Sequence, residues 1–380
     1  MVTVLIAGGG TGGHVFPMLA VGDAVLALDP SARVVYVGTP RGIEGRAIGE
    51  HVGETGATGP NRRGELFLLD IAPLRGSGVT GFVKGVARAA SSIPEARALV
   101  QRLQPDVALS VGGYAGGPIA LAARLHGVPV ALLEPNSVLG LSNRLLTPFA
   151  ERAYVSFAEA ERYLRPSTVR RLGVPLRRAF TPSAYAASAG PTSLLILGGS
   201  QGARGINAAV PRAVAAAIQA GADVVVTHQT GRDRDADVAA AYAALGLAAR
   251  VRVVPFIDDV AAELARADLV IERSGASSLA ELCAVGRASI LIPFPFAADD
   301  HQLRNARSLE RAGAAVALAE ADATPERLAA EIGALASDPA RRGRMARAAA
   351  ALGKPEAAHA VALDLLDLAR AHGPRVKEAC

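Results

Sequence analysis

The sequence predicts an α/β protein of two Rossmann-like domains, each a doubly wound parallel sheet, facing each other across a cleft. Three observations carry this expectation. Short apolar runs alternate with longer helix-like stretches, the alternation occurs once in each half of the chain, and 380 residues exceed what one core usually serves. Strands buried on both faces of a parallel sheet read as continuous apolar runs, and helices supply the crossovers between them.

In the first half, residues 2–7, 34–37, 107–109 and 130–133 read as such strands, and in the second half residues 194–197, 224–227, 251–254, 269–271 and 289–292. Between the halves, residues 166–191 contain Pro175, Pro182, Ser183, Ser188 and Gly190, a composition suited to a linker. The expected domains are therefore 1–170 and 171–354. The alanine-rich tail from Pro339 onward reads as helices, and from about residue 355 it is free to pack on the first domain. Ligands of doubly wound folds bind at the carboxyl ends of the strands, so the expected site is the cleft.

Composition narrows the classes of function. With 51% hydrophobic and 20% charged residues the chain can bury large cores and is not a disordered protein. A net charge of +5 favours an anionic partner, whether a phosphate ligand, a nucleic acid or an acidic membrane surface. Nucleic acid is disfavoured, because aromatics are only 4% and no Lys/Arg block is interleaved with them. Cys283 and Cys380 are the only cysteines, which excludes a disulfide framework and fits a reducing compartment. The apolar run 2–7 has no basic segment before it and reads as a first strand, not a signal peptide. Run 290–298 contains Pro293 and Pro295 and falls short of the roughly 18 residues that cross a bilayer, so membrane contact is expected to be peripheral.

Three glycine-rich loops carry the chemistry. GGGTGGH at 8–14 follows the first strand and leads into the helical pattern of Val15, Phe16, Leu19 and Ala20. Without side chains, backbone N–H groups can approach an anion, the helix terminus adds partial positive charge, and Thr11 adds a hydroxyl. Gly8, Gly10 and Gly13 also satisfy the dinucleotide pattern G-x-G-x-x-G. That pattern needs an acid after the second strand, where this chain has Gly38, Thr39, Pro40 and Arg41, so a dinucleotide enzyme is disfavoured. GGYAGGP at 112–118 and GGSQGARG at 198–205 follow two further strands. Any one loop could be a sharp strand-to-helix corner, but three together point to ligand phosphates.

Eight segments, in this order, resemble one family: GGGTGGHVFP (8–17), SVGGYAGGP (110–118), EPN (134–136), GVPLR (173–177), GGSQGARGIN (198–207), PFIDD (255–259), RSGASSLAE (273–281) and DDHQLRNA (299–306). The family is the membrane-associated N-acetylglucosaminyltransferases of peptidoglycan synthesis. The resemblance implies a GT-B type fold, UDP-N-acetylglucosamine as donor and undecaprenyl-diphosphate-linked muramoyl pentapeptide as acceptor. It also implies an inverting transfer at an anionic surface on the cytoplasmic face of the inner membrane; no cofactor is expected, and the reading of the aspartates given below makes the reaction independent of metal. Carried over by position, it places Thr11, Gly12, Gly13 and Asn136 toward the donor sugar. It places Arg177, Ser200, Ile257, Ala276, Ser277, Ser278, Leu279, Ala280, Glu281 and Gln302 around the nucleotide, with Ile257 beside uracil and Glu281 on the ribose hydroxyls. Leu133 and Pro135 depart from the family's usual histidine and glutamine, and residues 50–65 look like a surface insertion.

An inverting transfer needs a base beside the attacking acceptor hydroxyl, and His14, at a helix start beside the first loop, is the candidate; packing of the helix start is its alternative role. Glu281 has the alternative of completing an S-x-x-E capping box with Ser278. Arg177 could neutralise a leaving diphosphate. Asp233, Asp235 and Asp237 have the D-x-D spacing of metal-using transferases, yet acidic residues of a first helical turn explain them better, and Asp258, Asp259, Asp299 and Asp300 read as caps and loops. Leu74, Arg75, Val79, Phe82, Val83, Lys84 and Arg88 combine apolar and basic groups, as a surface resting on anionic lipid would. Competing activities are a GT-B transferase with a soluble acceptor, a UDP-N-acetylglucosamine epimerase and a non-catalytic binding module.

Overall fold

A computed structural model of the chain describes residues 1–9, 12–40, 48–49, 51, 64–69, 92–199 and 202–373. Thr11, Ser200, Cys380, the 74–88 patch and most of the 50–65 insertion lie outside the described residues.

Among these residues, β1 (Thr3–Ala7), β2 (Arg33–Gly38), β3 (Glu65–Leu68), β4 (Val107–Ser110), β5 (Val130–Glu134), β6 (Arg152–Val155) and β7 (Val169–Arg170) form one parallel sheet, ordered β3-β2-β1-β4-β5-β6-β7. A second parallel sheet contains β8 (Thr192–Leu197), β9 (Val224–Gln229), β10 (Val251–Val254), β11 (Leu269–Glu272), β12 (Ala288–Leu291) and β13 (Ala315–Ala317), ordered β10-β9-β8-β11-β12-β13. The fold is two Rossmann-like α/β domains. In each sheet the winding direction reverses once, between β1 and β4 and between β8 and β11. The carboxyl ends of those strand pairs are where a doubly wound sheet opens for ligand.

The chain forms two compact units, Met1–Arg178 with Glu356–Cys380, and Ala179–Pro355. The tail is divided: helix Pro339–Leu352 belongs to the second unit, whereas helix Ala357–Ala371 belongs to the first. The latter buries Val361, Ala362, Leu365, Leu366 and Ala369, a stripe at helical spacing, against helix Gly12–Leu28 and the core built on Val4 and Ile6. Asp364, facing β6, accepts hydrogen bonds from Arg152 Nε (3.2 Å) and Tyr154 Oη (2.8 Å).

The predicted linker begins inside the first sheet, because Val169 and Arg170 pair with β6 as that sheet's last strand. Its later part is tied to the second unit by buried Asp268, which accepts from Tyr185 Oη (3.0 Å), Ser188 N (3.1 Å), Ser188 Oγ (2.5 Å) and Ser193 N (2.9 Å). Burial raises the Asp268 pKa, but these donors outweigh it and hold the carboxyl below its usual range. Buried Arg287 adds bonds to Ser183 O (2.9 Å) and Ala265 O (2.6 Å). A polar composition that reads as a free tether thus becomes a fixed polar network.

Candidate functional site

At the first switch point, helix Gly12–Leu28 starts just after β1 and helix Gly113–Leu125 just after β4. The two glycine loops touch. Gly113 has φ +71°, and a Cβ there would lie 1.9 Å from Gly9 O, so only glycine allows the backbones to meet. Gly112, at φ +84°, leaves room for two polar groups: a Cβ there would stand 3.5 Å from His14 Nε2 and 3.4 Å from Asn143 Nδ2. The His14 ring and the Asn143 carboxamide therefore converge over one stretch of bare backbone.

Asn143 is buried and held on three sides, accepting from Ser110 Oγ (3.2 Å) and donating to Leu133 O (2.9 Å) and Glu134 Oε2 (3.1 Å). Glu134, the last residue of β5, also accepts from Gly140 N (2.9 Å), Asn136 N (3.1 Å) and Asn136 Nδ2 (3.3 Å). Its carboxylate thus shapes the 134–140 turn and fixes Asn136. Complete burial raises its pKa, and these hydrogen bonds oppose the rise without cancelling it. The residue at position 133 contributes through its backbone carbonyl, which the departure to leucine leaves in place. Nearby, the Arg177 guanidinium lies 5.3 Å from the Phe16 ring, two residues beyond His14. The first unit thus holds Gly12, Gly13, His14, Asn136 and Arg177, although Arg177 was expected with the nucleotide group.

At the second switch point, Gln229 at the end of β9 donates to Gly199 O (3.0 Å) and Pro255 O (3.1 Å), joining the third glycine loop to the PFIDD turn. Ile257 in that turn is buried, and Asp259 caps helix Val260–Arg266 by accepting from Ala262 N (2.9 Å). Helix Ala276–Val285 starts from Gly275 as N-cap. Ser278 is therefore the third helical residue, and the capping-box alternative for Glu281 fails because the helix has begun two residues earlier. The first-turn amides of Ala276, Ser277 and Ser278 meet a cap with no side chain, the arrangement that suits a bound anion. Leu279 is buried under this turn, with Ala280 and Glu281 partly exposed beside it. Gln302 is fixed twice: Ser274 Oγ donates to its carbonyl (2.8 Å), and its Oε1 accepts from Phe294 N (3.0 Å).

The acidic residues follow their local explanation. Asp235 and Asp237 occupy the first turn of helix Asp235–Ala244, and Asp233 precedes it at φ +59°. Asp299 and Asp300 make a left-handed corner before helix His301–Arg311. Cys283 is buried, which pushes its thiol up to about 12 and makes it unreactive.

Glu134, Asn143, Arg273 and Glu272 were not singled out by sequence reasoning. Glu134 and Arg273 did lie inside quoted motifs, which was the available signal. Glu272, at the end of β11, is buried with Oε1 lacking a hydrogen-bond partner. Burial first, and the charge of Glu281 second, raise its carboxyl well above the usual range. Such a group binds more protons folded than unfolded, so stability falls as pH rises from about 4.3 through the folded value. Glu272→Gln is accordingly expected to raise Tm by a few degrees at about pH 8 and to change it little at about pH 4. Scanning calorimetry checks this, and equal melting of the two proteins at both pH values would refute it.

Comparison with known proteins covers both units. Residues 4–155 match the glycosyltransferase family 28 N-terminal domain and residues 193–361 its C-terminal domain. A relative from Sorangium cellulosum (strain So ce56), 66% identical over 98% of this chain and 89% of its own length, is named UDP-N-acetylglucosamine--N-acetylmuramyl-(pentapeptide) pyrophosphoryl-undecaprenol N-acetylglucosamine transferase. The crystal structure of Acinetobacter baumannii MurG superposes with a TM-score of 0.79 at 30% identity, covering 97% of this chain and 100% of that one. A UDP-N-acetylglucosamine 2-epimerase superposes with a TM-score of 0.66 at 14% identity over 96% of each chain, a likeness of fold alone.

Proposed function

The chain belongs to glycosyltransferase family 28, and we propose that it transfers N-acetylglucosamine from UDP-N-acetylglucosamine to undecaprenyl-pyrophosphoryl N-acetylmuramyl pentapeptide, with inversion. The observation that carries this reading is the 66% identity with a transferase so named, over 98% of the chain and hence through both switch points.

His14 takes the proton of the acceptor hydroxyl as that oxygen attacks the anomeric carbon and the bond to the diphosphate breaks. Convergence of His14 and Asn143 over Gly112 supports this role, because it brings the ring nitrogen and a fixed carboxamide to one stretch of backbone without a side chain. Gly12, Gly13, Thr11 and Asn136 face the donor sugar, with Asn136 oriented by Glu134. The first turn at Ala276, Ser277 and Ser278, capped by a residue without a side chain, receives the diphosphate together with Ser200, and Arg177 of the first unit carries a guanidinium fork that suits a phosphate. Leu279 and Ala280 shape that turn, Glu281 accepts from the ribose hydroxyls, Ile257 flanks the uracil, and Gln302 lines the same pocket.

Among the described residues, no helix is long and apolar enough to cross a membrane. The enzyme acts peripherally on the cytoplasmic face of the inner membrane, held by anionic lipid and by its acceptor. The test supplies sugar-labelled UDP-N-acetylglucosamine, EDTA and the lipid-linked acceptor in anionic vesicles. Label and enzyme are expected in the vesicle fraction. Label moving only to soluble acceptors, or no transfer once EDTA is present, would overturn the reading.

A further inference from the structure

We propose that Glu320 is a positioning residue of the nucleotide-sugar site, setting Arg273 and, through it, the turn that presents Gln302. The inference deepens the functional reading above and rests on it.

Glu320 lies in the loop after β13, far in sequence from every motif of the site. Its carboxylate forms an ion pair with Arg273 Nη1. The same nitrogen donates to Ile292 O and Pro293 O, each at 3.1 Å, and the guanidinium carbon lies 5.6 Å from the Phe294 ring. Arg273 thereby gathers the carboxyl ends of β11 and β12. Phe294, held by this contact, donates its backbone N–H to Gln302 Oε1.

On its other side the carboxylate fills the place of a missing side chain. A Cβ on Gly205 would stand 2.7 Å from Glu320 Oε1 and 2.8 Å from its Cδ. Gly205 belongs to the first turn of helix Arg204–Gln219, which follows the third glycine loop, and the positive end of that helix favours the negative charge. Glu320 thus sits between the third glycine loop and the β11–β12 turns, with Arg273 as its only ion-pair partner among the described residues. Arg273's side chain is 16% exposed, so this pair is screened less than a surface pair. Without it, Arg273 keeps its two carbonyl acceptors but loses the anion that fixes its direction.

Full-length wild type, Glu320→Ala, Glu320→Gln and Gly205→Ala are compared for UDP binding by calorimetry, for KM and kcat, and for Tm. Glu320→Ala is expected to weaken UDP binding and raise the donor KM by about tenfold, through the lost ion pair with Arg273, with kcat falling much less. Glu320→Gln, which keeps shape without charge, is expected to recover part of the loss. Gly205→Ala, which displaces the carboxylate, is expected to reproduce it. Wild-type UDP affinity in both Glu320→Gln and Glu320→Ala overturns the inference. So does a loss that tracks melting temperature across the variants, or one that falls on kcat alone. Failure of the wild type to bind UDP overturns the functional reading, and this inference with it.

Discussion

Alanine at position 14 is expected to lower turnover by about 10²–10⁴-fold while leaving UDP affinity unchanged, the range removed with a general base. The separation of the two readouts follows from where the groups lie. His14 stands over Gly112 at the first sheet's switch point, whereas the groups proposed for uracil and ribose belong to the second unit. If His14 only packed the helix start, alanine would cost stability and affect activity in proportion to unfolding. Turnover within about threefold of wild type, at equal folded fraction, would remove His14 from its role as base.

Gly113→Ala is expected to disable the enzyme by a different route. Its φ of +71° costs an alanine about 1–2 kcal/mol, and the added methyl would overlap Gly9 O at 1.9 Å, which no rotamer can relieve. Either the first unit melts at markedly lower temperature or the first glycine loop is pushed off Gly113 and His14 is displaced with it, and turnover falls in both cases. Calorimetry and single-turnover transfer distinguish the two. A variant with wild-type melting and wild-type transfer would show that close contact of the two loops is not needed.

The central strands of both sheets were legible in the sequence because a parallel sheet covered on both faces demands nearly uniform apolar runs, as in β1 and β5. The edges were not. β3 is half-buried and mixed in composition, β7 is two residues long, and β13 is a three-residue alanine-rich strand. Glycine loops announce themselves because few local structures need so many glycines at once. Buried polar groups do not: Asn143 looks like an ordinary helical residue until Ser110, Leu133 and Glu134 are brought around it. Ser278 and Glu281 misled in the opposite direction, since their spacing satisfies a capping rule two residues inside a helix whose start Gly275 had already set. Asp268 and Arg287 turn a linker-like composition into a fixed strap through partners distant in sequence.

The most direct measurement of the central claim is UDP release from UDP-N-acetylglucosamine by purified protein in EDTA, with and without the lipid-linked muramoyl pentapeptide. The account predicts UDP release that depends on the acceptor, in equal amount to N-acetylglucosamine transferred, lowered by His14→Ala at any donor concentration and by Glu281→Ala chiefly at limiting donor. Release or sugar conversion at the same rate without acceptor would contradict it and identify an acceptor-independent enzyme on the same fold.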